Sequence, residues 1–578
     1  MNDAVNVPRG LYRSVFVAIL LIGALMRGLF PAADPPWNPS VGIVWHDEGP
    51  WVHNARNRAL FGAWSLDKWN PMYVAPVFTG LEYLSFRSFG VGVRQARLVP
   101  EVCGFGALCL LSLGVGRLGG RLAALVAAAL LATNYFYVMW DRTALMEGPM
   151  AAFMVASWYC YTRADDSPPW GLAASACALL AFFTKAAAAF FVAAIAIDAL
   201  AAWLSRGKRS LTMQHTRAAP WTIGGLAIFG AIALLVFVLP NWSDYRFYNW
   251  QMSVTRKPTY TFKAILDRAT WLPLQDAFTR TWFVMTLAAA HAAGLLARWR
   301  ELRSGERLLV LWVVLGAAEL ILHDAGNERR FVFFIPAFVA LASLALGRLQ
   351  ILSRHVEQIP RSRALLALPL VLYGAYVVFG AFVRIAFLRE ISPNVRIAAI
   401  LAVLFAVALF STWPRLPRRL AEAIPAGGVV ALTVLLAAGN VVQYIQWAVG
   451  RTYKNYDASR QLGSLLPPDT LVHGKLANGL ALENRIRPVF VGRGFGNYDD
   501  RKSRDDVRYI LTYIAPSLGY ESQAHNPVIQ DVIDAYPGHR IIATFDVAET
   551  ATGHDRAALI DKFGAGRETV PQSGRAKH

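Results

Sequence analysis

The sequence predicts an all-α polytopic membrane protein that carries a small polar α/β unit at its C-terminal end. Of its 578 residues, 55% are hydrophobic and 16% are charged, whereas soluble globular proteins carry about 25% charged residues. Apolar runs of bilayer-spanning length recur between residues 12 and 448. After about residue 450 the chain changes to polar sequence with short strand-like runs. These three features define the predicted fold class.

The apolar runs give the helices in order. Arg9 and Arg13 precede the first run, which is long for a signal peptide and is interpreted as an uncleaved first span. We expect about 13 membrane-spanning helices in all. Their predicted positions are 12–32, 97–116, 121–139, 147–163, 169–184, 186–204, 219–240, 281–297, 307–323, 330–347, 364–386, 394–412 and 426–448.

Charge sets the predicted topology. The net charge is +19, but the basic residues gather in short loops between apolar runs, which is typical of membrane topology and argues against nucleic-acid binding. The segment 71–89 starts at Asn70-Pro71 and contains Glu82 and Arg87, so we interpret it as an interfacial helix. With that choice nearly every basic cluster falls on the cytoplasmic side. The outer parts are then a first loop (33–96), a second long loop (241–280), short turns at 139–146 and 323–330, and the C-terminal region.

The chain therefore divides into a membrane domain, 1–449, and a C-terminal domain, 450–578. At roughly 130 residues the second is large enough for its own small α/β core. Four strand-like runs separated by Gly, Pro and Asn turns begin at Thr470, Arg487, Val507 and Arg540. The four cysteines all lie in apolar segments, which indicates no disulfide framework.

Two adjacent carboxylates, Asp47 and Glu48, lie in the first polar stretch after the first span. Ionisable groups next to the membrane are costly and are therefore functional candidates; here they suit proton abstraction or cation binding. A solvated loop is the plain alternative. His46, His53 and His323 are candidate metal ligands, because Zn²⁺ often binds histidine together with carboxylates.

Other charges lie at the predicted outer ends of the helices. Their plain interpretations are snorkelling to the interface, an ion pair between Arg142 and Glu147, or binding of lipid headgroups. Acids from early turns and bases from later ones would share one membrane depth, as a cavity for a lipid-linked phosphate requires. The additional candidates are Arg27, Arg142, Glu147, Lys185, Arg329 and Arg330.

An ordered series of short motifs gives the chain a family resemblance. In sequence order they are Arg27, Asp47-Glu48 followed by Trp51, Asn70-Pro71, Phe89-Gly90, Arg97-Leu98, Gly116-Arg-Leu-Gly-Gly120, Arg142 five residues before Glu147, Thr184-Lys185, and Arg329-Arg330-Phe with Pro336. Over roughly residues 12–350 the chain resembles the polytopic glycosyltransferases of the GT-C class, in particular the protein O-mannosyltransferase and lipid A aminoarabinose transferase group. It departs from them in having Glu147 where Asp is usual, and Asn70 where the aminoarabinose enzymes have lysine.

The resemblance implies a GT-C fold and a glycosyltransferase of the EC 2.4 class. It implies a polyprenyl-phosphate-linked sugar donor and an acceptor that is protein, lipid A or a cell-envelope glycan, with transfer on the periplasmic face of a bacterial inner membrane. Asp47 would be the general base or orient the acceptor, and Glu48 would support it or contact the acceptor. Glu147 would position Arg142 or bind the acceptor. Arg27, Arg142, Lys185, Arg329 and Arg330 would stabilise the departing lipid phosphate. The transfer would be inverting, with membrane lipids as surroundings and no required cofactor; a divalent metal stays open.

Two other classes stay open on the residues alone. A transporter or flippase of a lipid-linked or anionic solute also carries ionisable residues in its spans, but transporters usually place them at the middle of the membrane. A non-catalytic receptor or assembly partner would act through residues 450–578 instead.

Overall fold

A computed structural model describes residues 7–36, 43–205, 213–251, 268–296, 302–323, 328–347, 426–491, 499–513, 535–548 and 556–564, and a few isolated positions. Most of the described chain is helical, with one small sheet near the C-terminus. The helices of the membrane domain are α1 (Arg9–Gly28), α2 (Glu48–Phe61), α3 (Pro76–Phe89), α4 (Val93–Thr133), α5 (Tyr135–Asp141), α6 (Glu147–Ala164), α7 (Trp170–Thr184), α8 (Ala189–Leu204), α9 (Met213–Ala233), α10 (Trp242–Arg246), α11 (Arg268–Leu296), α12 (Ser304–His323), α13 (Ile335–Gly347) and α14 (Ala426–Val449).

Within the described part of the chain, five helices are long and apolar enough to cross a membrane: Arg9–Gly28, Val93–Thr133, Ala186–Leu204, Arg217–Val238 and Gly427–Leu465. Three shorter apolar helices accompany them. Large apolar side chains of α1 point outward, for example Leu11 at 57% and Leu21 at 60% exposure, as lipid contact requires. The predicted count of about 13 spans stays a prediction, since 364–386 and 394–412 lie outside the described residues.

Two spans predicted at 97–116 and 121–139 correspond to the long helix α4. The helix is divided at Gly120, whose φ of 84° lies in the left-handed region that glycine adopts without strain. The second half ends at Thr133, earlier than predicted, because Asn134 leaves the helix and caps α5 by accepting a hydrogen bond from the Tyr137 backbone N–H at 2.8 Å.

The segment predicted to lie on the membrane surface forms a short 3₁₀ turn, Pro71–Tyr73, followed by α3. A helix of 14 residues is about 21 Å long, which is too short for a hydrocarbon core of about 30 Å. Pro76 is the first residue of α3 and Gly90, with φ of 85°, follows its last residue, so both ends are marked in the sequence.

The directions of the helices place the candidate residues at one end of the bundle. Helix α6 runs from Glu147 to Ala164 and α7 returns from Trp170 to Thr184, so Glu147 and Lys185 share an end. Ser304, the first residue of α12, donates to Asp165 at 2.7 Å, which places the start of α12 at the opposite end. Arg329, beyond the last residue of α12, therefore returns to the end that carries Glu147.

The C-terminal sheet has five strands in the order β2-β1-β3-β5-β4. They are β1 (Leu471–His473), β2 (Arg487–Val489), β3 (Tyr509–Tyr513), β4 (Arg540–Asp546) and β5 (Arg556–Asp561), with the helices α15 (Lys454–Leu465), α16 (Lys475–Gly479) and α17 (Asp500–Ser503). Strand β1 is parallel to β2 and β3, whereas β5 is antiparallel to β3 and β4. All four predicted strand regions are present; β5 was not predicted.

Candidate active site

Asp47 lies where the first polar loop turns into a helix. It is the last residue of a short 3₁₀ turn, Trp45–Asp47, and precedes α2, which starts at Glu48. An aspartate at this position usually accepts a hydrogen bond from the first helical N–H groups, but the Asp47 side chain makes no such cap. Its Oδ2 instead accepts a hydrogen bond from Nη2 of Arg329, 282 residues further along the chain.

The Asp47 carboxylate keeps contact with solvent. Its side chain is 13% exposed and that of Arg329 is 15% exposed, whereas its neighbours His46 and Glu48 are buried. The ring Nε2 of His46 lies 3.8 Å from Oδ1 of Asp47. The acid is thus held between a guanidinium and an imidazole and can still meet a molecule from outside.

Glu48 points into the protein and is fully engaged. Its two carboxylate oxygens accept hydrogen bonds from Nε and Nη2 of Arg97 at 2.8 and 2.7 Å, a bidentate arrangement. Oε1 also accepts from the backbone N–H of Ala144 at 2.8 Å. Arg97 further donates to the carbonyls of Pro31 and Ala33 at 3.0 and 2.6 Å. The pair therefore ties the first loop to the turn after α5.

Arg27 is held inside the bundle. Its Nε donates to Oδ2 of Asp141 at 2.9 Å, and its Nη1 donates to the carbonyl of Gly23 at 3.1 Å. The Asp141 carboxylate packs directly on Gly104, where a Cβ atom would come within 2.1 Å of Oδ2, so a larger residue could not stand there without displacing the acid. With 1% exposure, Arg27 is positioned to hold helices together.

Arg142 is also saturated by the protein. It donates to the backbone carbonyls of Met26, Arg27 and Phe30, which are the last carbonyls around the end of α1. Cations at a helix C-terminus stabilise the exposed carbonyl groups and the helix dipole. Its guanidinium carbon lies 4.6 Å from the centroid of the Trp447 ring, a cation–π contact with α14.

Glu147 and Lys185 form the third pair of opposite charges. Lys185 lies in extended backbone between α7 and the next turn, and its Nζ donates to Oε1 of Glu147 at 2.5 Å. The ion pair considered between Arg142 and Glu147 is therefore wrong: Glu147 binds Lys185, because Arg142 is turned toward the end of α1. Lys185 is 17% exposed, so its ammonium group can still reach a ligand.

The side chains of Arg330 and His323 lie outside the described residues. No group of three or more potential metal-binding side chains is present among the residues that the structure describes. His46 contacts the hydroxyl of Tyr513 through Nδ1 at 3.1 Å, and His53 contacts Asp67 through Nε2 at 3.0 Å. These two histidines thus have separate partners, and the metal site stays a prediction.

Glu82, in the segment interpreted as a surface helix, is fully buried, and neither carboxylate oxygen has a hydrogen-bond partner among the described residues. Burial, and secondarily the charge of Glu48, raise the pKa of this carboxyl well above its ordinary 4.5. Its buried position therefore favours the protonated form of Glu82 over the charged form. The sequence signal for this buried acid was its position in an otherwise apolar stretch.

The C-terminal domain packs against α2. Arg56 is 1% exposed and donates to three carbonyls of that domain: those of Ala481, Asn484 and Ile486, at 3.0, 2.9 and 2.9 Å. Asp67 in the first loop accepts a hydrogen bond from the backbone N–H of Phe490 at 2.8 Å. Contacts with the C-terminal domain thus fix the position of α2, the helix that begins beside Asp47.

A many-helix membrane bundle with a site of paired charges at one end defines the class: a polytopic membrane protein. Residues 73–250 match the family model of the dolichyl-phosphate-mannose-protein mannosyltransferases. The match includes α3 to α10 and begins after Asp47. No curated protein sequence matches the chain.

Solved structures provide the second comparison. The chain is similar to ArnT from Cupriavidus metallidurans bound to undecaprenyl phosphate, with 15% identity, a TM-score of 0.51, and coverage of 95% of this chain and 97% of that one. It is also similar to the oligosaccharyltransferase of Archaeoglobus fulgidus, with 13% identity, a TM-score of 0.44, and coverage of 88% and 69%. The first likeness shows a shared fold, and the predicted resemblance to GT-C glycosyltransferases is confirmed.

Proposed function

We propose that this protein is a membrane glycosyltransferase that moves a sugar from a polyprenyl-phosphate-linked donor to an acceptor on the periplasmic face. The observation that carries the proposal is the solvent-accessible pair of Asp47 and Arg329 at one end of the bundle. A base and a cation held together suit a transfer in which a proton is lost and a phosphate departs. The mannosyltransferase family match over 73–250 and the ArnT-like fold support it.

Asp47 is the general base in this proposal. Its carboxylate accepts the proton of the acceptor hydroxyl as the oxygen attacks the anomeric carbon of the sugar. The bond from that carbon to the donor phosphate breaks, and the polyprenyl phosphate leaves as an anion. A single displacement inverts the anomeric carbon, because Glu48, the adjacent carboxylate, is occupied by Arg97 and is not placed as a nucleophile.

The burial of the cations divides their roles. Arg329 and Lys185 retain 15% and 17% exposure and are assigned to the leaving phosphate, together with Arg330. Arg27 and Arg142 are 1% and 5% exposed. Arg27 donates to Asp141 and Arg142 donates to backbone carbonyls, so we assign both to the framework of the site. Glu147 orients Lys185 in this scheme.

The charges at the other end of the bundle support the proposed orientation. Arg117 and Arg303 lie there, linked by a hydrogen bond from Arg303 to the Arg117 carbonyl at 3.3 Å, and Arg307 is paired with Asp198 nearby. A concentration of arginines marks the cytoplasmic side of a membrane protein. Asp47, at the opposite end, then faces the periplasm.

The test is mass spectrometry of surface glycans and lipids in a deletion strain that is complemented with the full chain or with single variants. We expect the modification to disappear on deletion and to be restored by the wild type. Asp47→Asn should reduce it about 10²- to 10⁴-fold, the usual contribution of a general base. Asp166→Asn is the matched control, because Asp166 is 67% exposed at the other end of the bundle.

Full restoration by Asp47→Asn would overturn the assignment of the base. Solute uptake into proteoliposomes that is unaffected by Asp47→Asn, with no change of surface glycans on deletion, would favour the transporter instead.

A further inference from the structure

The parallel strands of the C-terminal sheet all end at the edge that faces the candidate site. Strands β1, β2 and β3 are parallel, so their carboxyl ends meet at one edge. Phe490, next after β2, donates its backbone N–H to Asp67 in the first loop, and Tyr513, the last residue of β3, contacts His46. In open sheets with parallel strands, this edge is where functional groups usually gather.

The membrane domain and the C-terminal domain approach each other closely at α2 and α16. A Cβ atom at Gly49 would lie 1.8 Å from the carbonyl oxygen of Asn478, and one at Gly479 would lie 3.0 Å from Cβ of His46. The side-chain amide of Asn478 also lies 2.9 Å from Nδ1 of His53. Glycine at these two positions therefore permits a backbone-to-backbone approach that fixes where the turn Trp45–Asp47 sits.

A line of polar groups runs from the sheet to the acid. The hydroxyl of Tyr513 lies 3.1 Å from Nδ1 of His46, and Nε2 on the far side of that ring lies 3.8 Å from Oδ1 of Asp47. His46 and Tyr513 are 1% and 7% exposed. The Trp45 ring meets the His46 ring edge-on, with centroids 5.6 Å apart, which restricts its rotation.

We propose that Tyr513 is a positioning residue for the transfer reaction: it acts through His46 to orient the Asp47 carboxylate. When the tyrosine hydroxyl donates to Nδ1, the ring carries its proton on Nε2 and turns an N–H toward Oδ1. Oδ1 then faces this N–H at 3.8 Å, a charge contact and not a hydrogen bond, while Oδ2 accepts a hydrogen bond from Arg329. The inference rests on the proposed function, since it assumes that Asp47 is the base.

The arrangement gives the C-terminal domain a part in the site itself. Hydrogen bonds that act behind a reacting group fix its orientation, and a shift of about 1 Å there is costly to the rate. Arg56 stabilises the docking of the C-terminal domain on α2, whereas Tyr513 contacts His46, the residue next to the base Asp47. Loss of Tyr513 should therefore slow transfer without releasing the domain.

The experiment uses the full chain in the complemented deletion strain. The rate at which the modified surface glycans or lipids appear after induction is divided by the amount of folded protein. The variants are Tyr513→Phe, His46→Ala, their double variant, His46→Gln and Asp47→Asn. Tyr536→Phe is the matched control: its hydroxyl bonds Lys502 and Asp505 inside the C-terminal domain, away from α2.

We expect Tyr513→Phe to lower the rate about 3- to 10-fold, the equivalent of one hydrogen bond, and Tyr536→Phe to leave it unchanged. The double variant should be no slower than His46→Ala alone, because both changes interrupt one line of contacts. His46→Gln places a polar N–H near the position of Nε2, which faces Asp47, and should recover part of the rate that His46→Ala loses. A purely structural role would not produce this recovery.

The outcomes separate the two proposals. Full activity of Asp47→Asn overturns the proposed function, and the inference with it. An inactive Asp47→Asn together with a fully active Tyr513→Phe overturns the inference alone. Additive losses in the double variant, or equal losses for His46→Gln and His46→Ala, also overturn it. If Tyr513→Phe does not accumulate, the comparison of the two His46 variants decides.

Discussion

The buried pair of Glu48 and Arg97 gives a stability prediction that can be worked out from its contacts. The substitution Glu48→Gln keeps the size of the side chain but removes the charge. If the amide nitrogen takes the place of Oε2, it faces Nη2 of Arg97; if it takes the place of Oε1, it faces Nε of Arg97 and the N–H of Ala144. In both orientations two donors point at each other.

The expected loss is about 3–5 kcal/mol of unfolding free energy, because removal of one partner leaves a buried charge without its counter-ion. The pair is well shielded, with side-chain exposures of 5% for Arg97 and 7% for Glu48. The carbonyls of Pro31 and Ala33 still accept from Arg97, which places the estimate at the lower end of that range.

The assay is equilibrium unfolding in mild detergent micelles with guanidinium, followed by tryptophan fluorescence. Asp166→Asn is the control, because the Arg117–Asp166 pair is exposed at 29% and 67% and should contribute about 0–1 kcal/mol. A loss for Glu48→Gln no larger than that of the control would refute the reasoning, since it would mean that water reaches the pair.

Two further predictions concern the C-terminal domain. Arg56→Met leaves three carbonyls without their donor and should cost several kcal/mol of docking energy. Limited proteolysis of the full chain should then show faster cleavage beyond residue 450. Arg485→Met is the control and should not speed cleavage, because Arg485 is exposed and has one side-chain contact of 3.5 Å. Burial, and then Lys562 and Arg504, lower the pKa of His473 from 6.5 to about 3. The unfolded chain therefore binds a proton below pH 6.5 that the folded one refuses, so stability should fall from pH 7.5 to pH 5, and less steeply in His473→Phe.

Equal cleavage rates for the two arginine variants would contradict the first of these predictions. An identical pH dependence of the thermal unfolding of wild type and His473→Phe would contradict the second. Neither His473 ring nitrogen has a hydrogen-bond partner among the described residues, so phenylalanine removes no bond there.

Much of the fold follows from local patterns. Apolar length predicted α1, α6, α7, α8, α12, α13 and α14 to within about five residues, whereas α2 and α10 lie in predicted loops. Alternating or compact apolar runs bounded by turn residues identified four strands. Strand β5 was missed because Arg556–Asp561 contains two alanines, a residue depleted in strands, and directly follows a polar stretch. Its partners, β3 and β4, are what make it a strand, and such pairing is not local information.

The site could be predicted in part. Positive-inside topology and costly charges led to Asp47, Lys185 and Arg329, which lie at the same end of the bundle. The pairing among charges could not be predicted, because it depends on which helices are neighbours. Asp141 takes Arg27 and Arg97 takes Glu48; both partners were visible as charges at the ends of apolar runs, but their sequence offered no signal of what they bind.

Sequence separation explains why the contacts between the C-terminal domain and the turn Trp45–Asp47 could not be predicted from the sequence. Asp47 binds Arg329, which lies 282 residues away in the sequence, and His46 contacts Tyr513, which lies 467 residues away. The entropy of closing such long loops grows only slowly with length, so distance along the chain adds little cost once the two parts dock. Buried contacts such as those of Arg56 stabilise the docked domain. The docked domain in turn contacts the turn Trp45–Asp47 through Tyr513. A domain joined at the far end of the chain can therefore set the geometry of a carboxylate near its beginning.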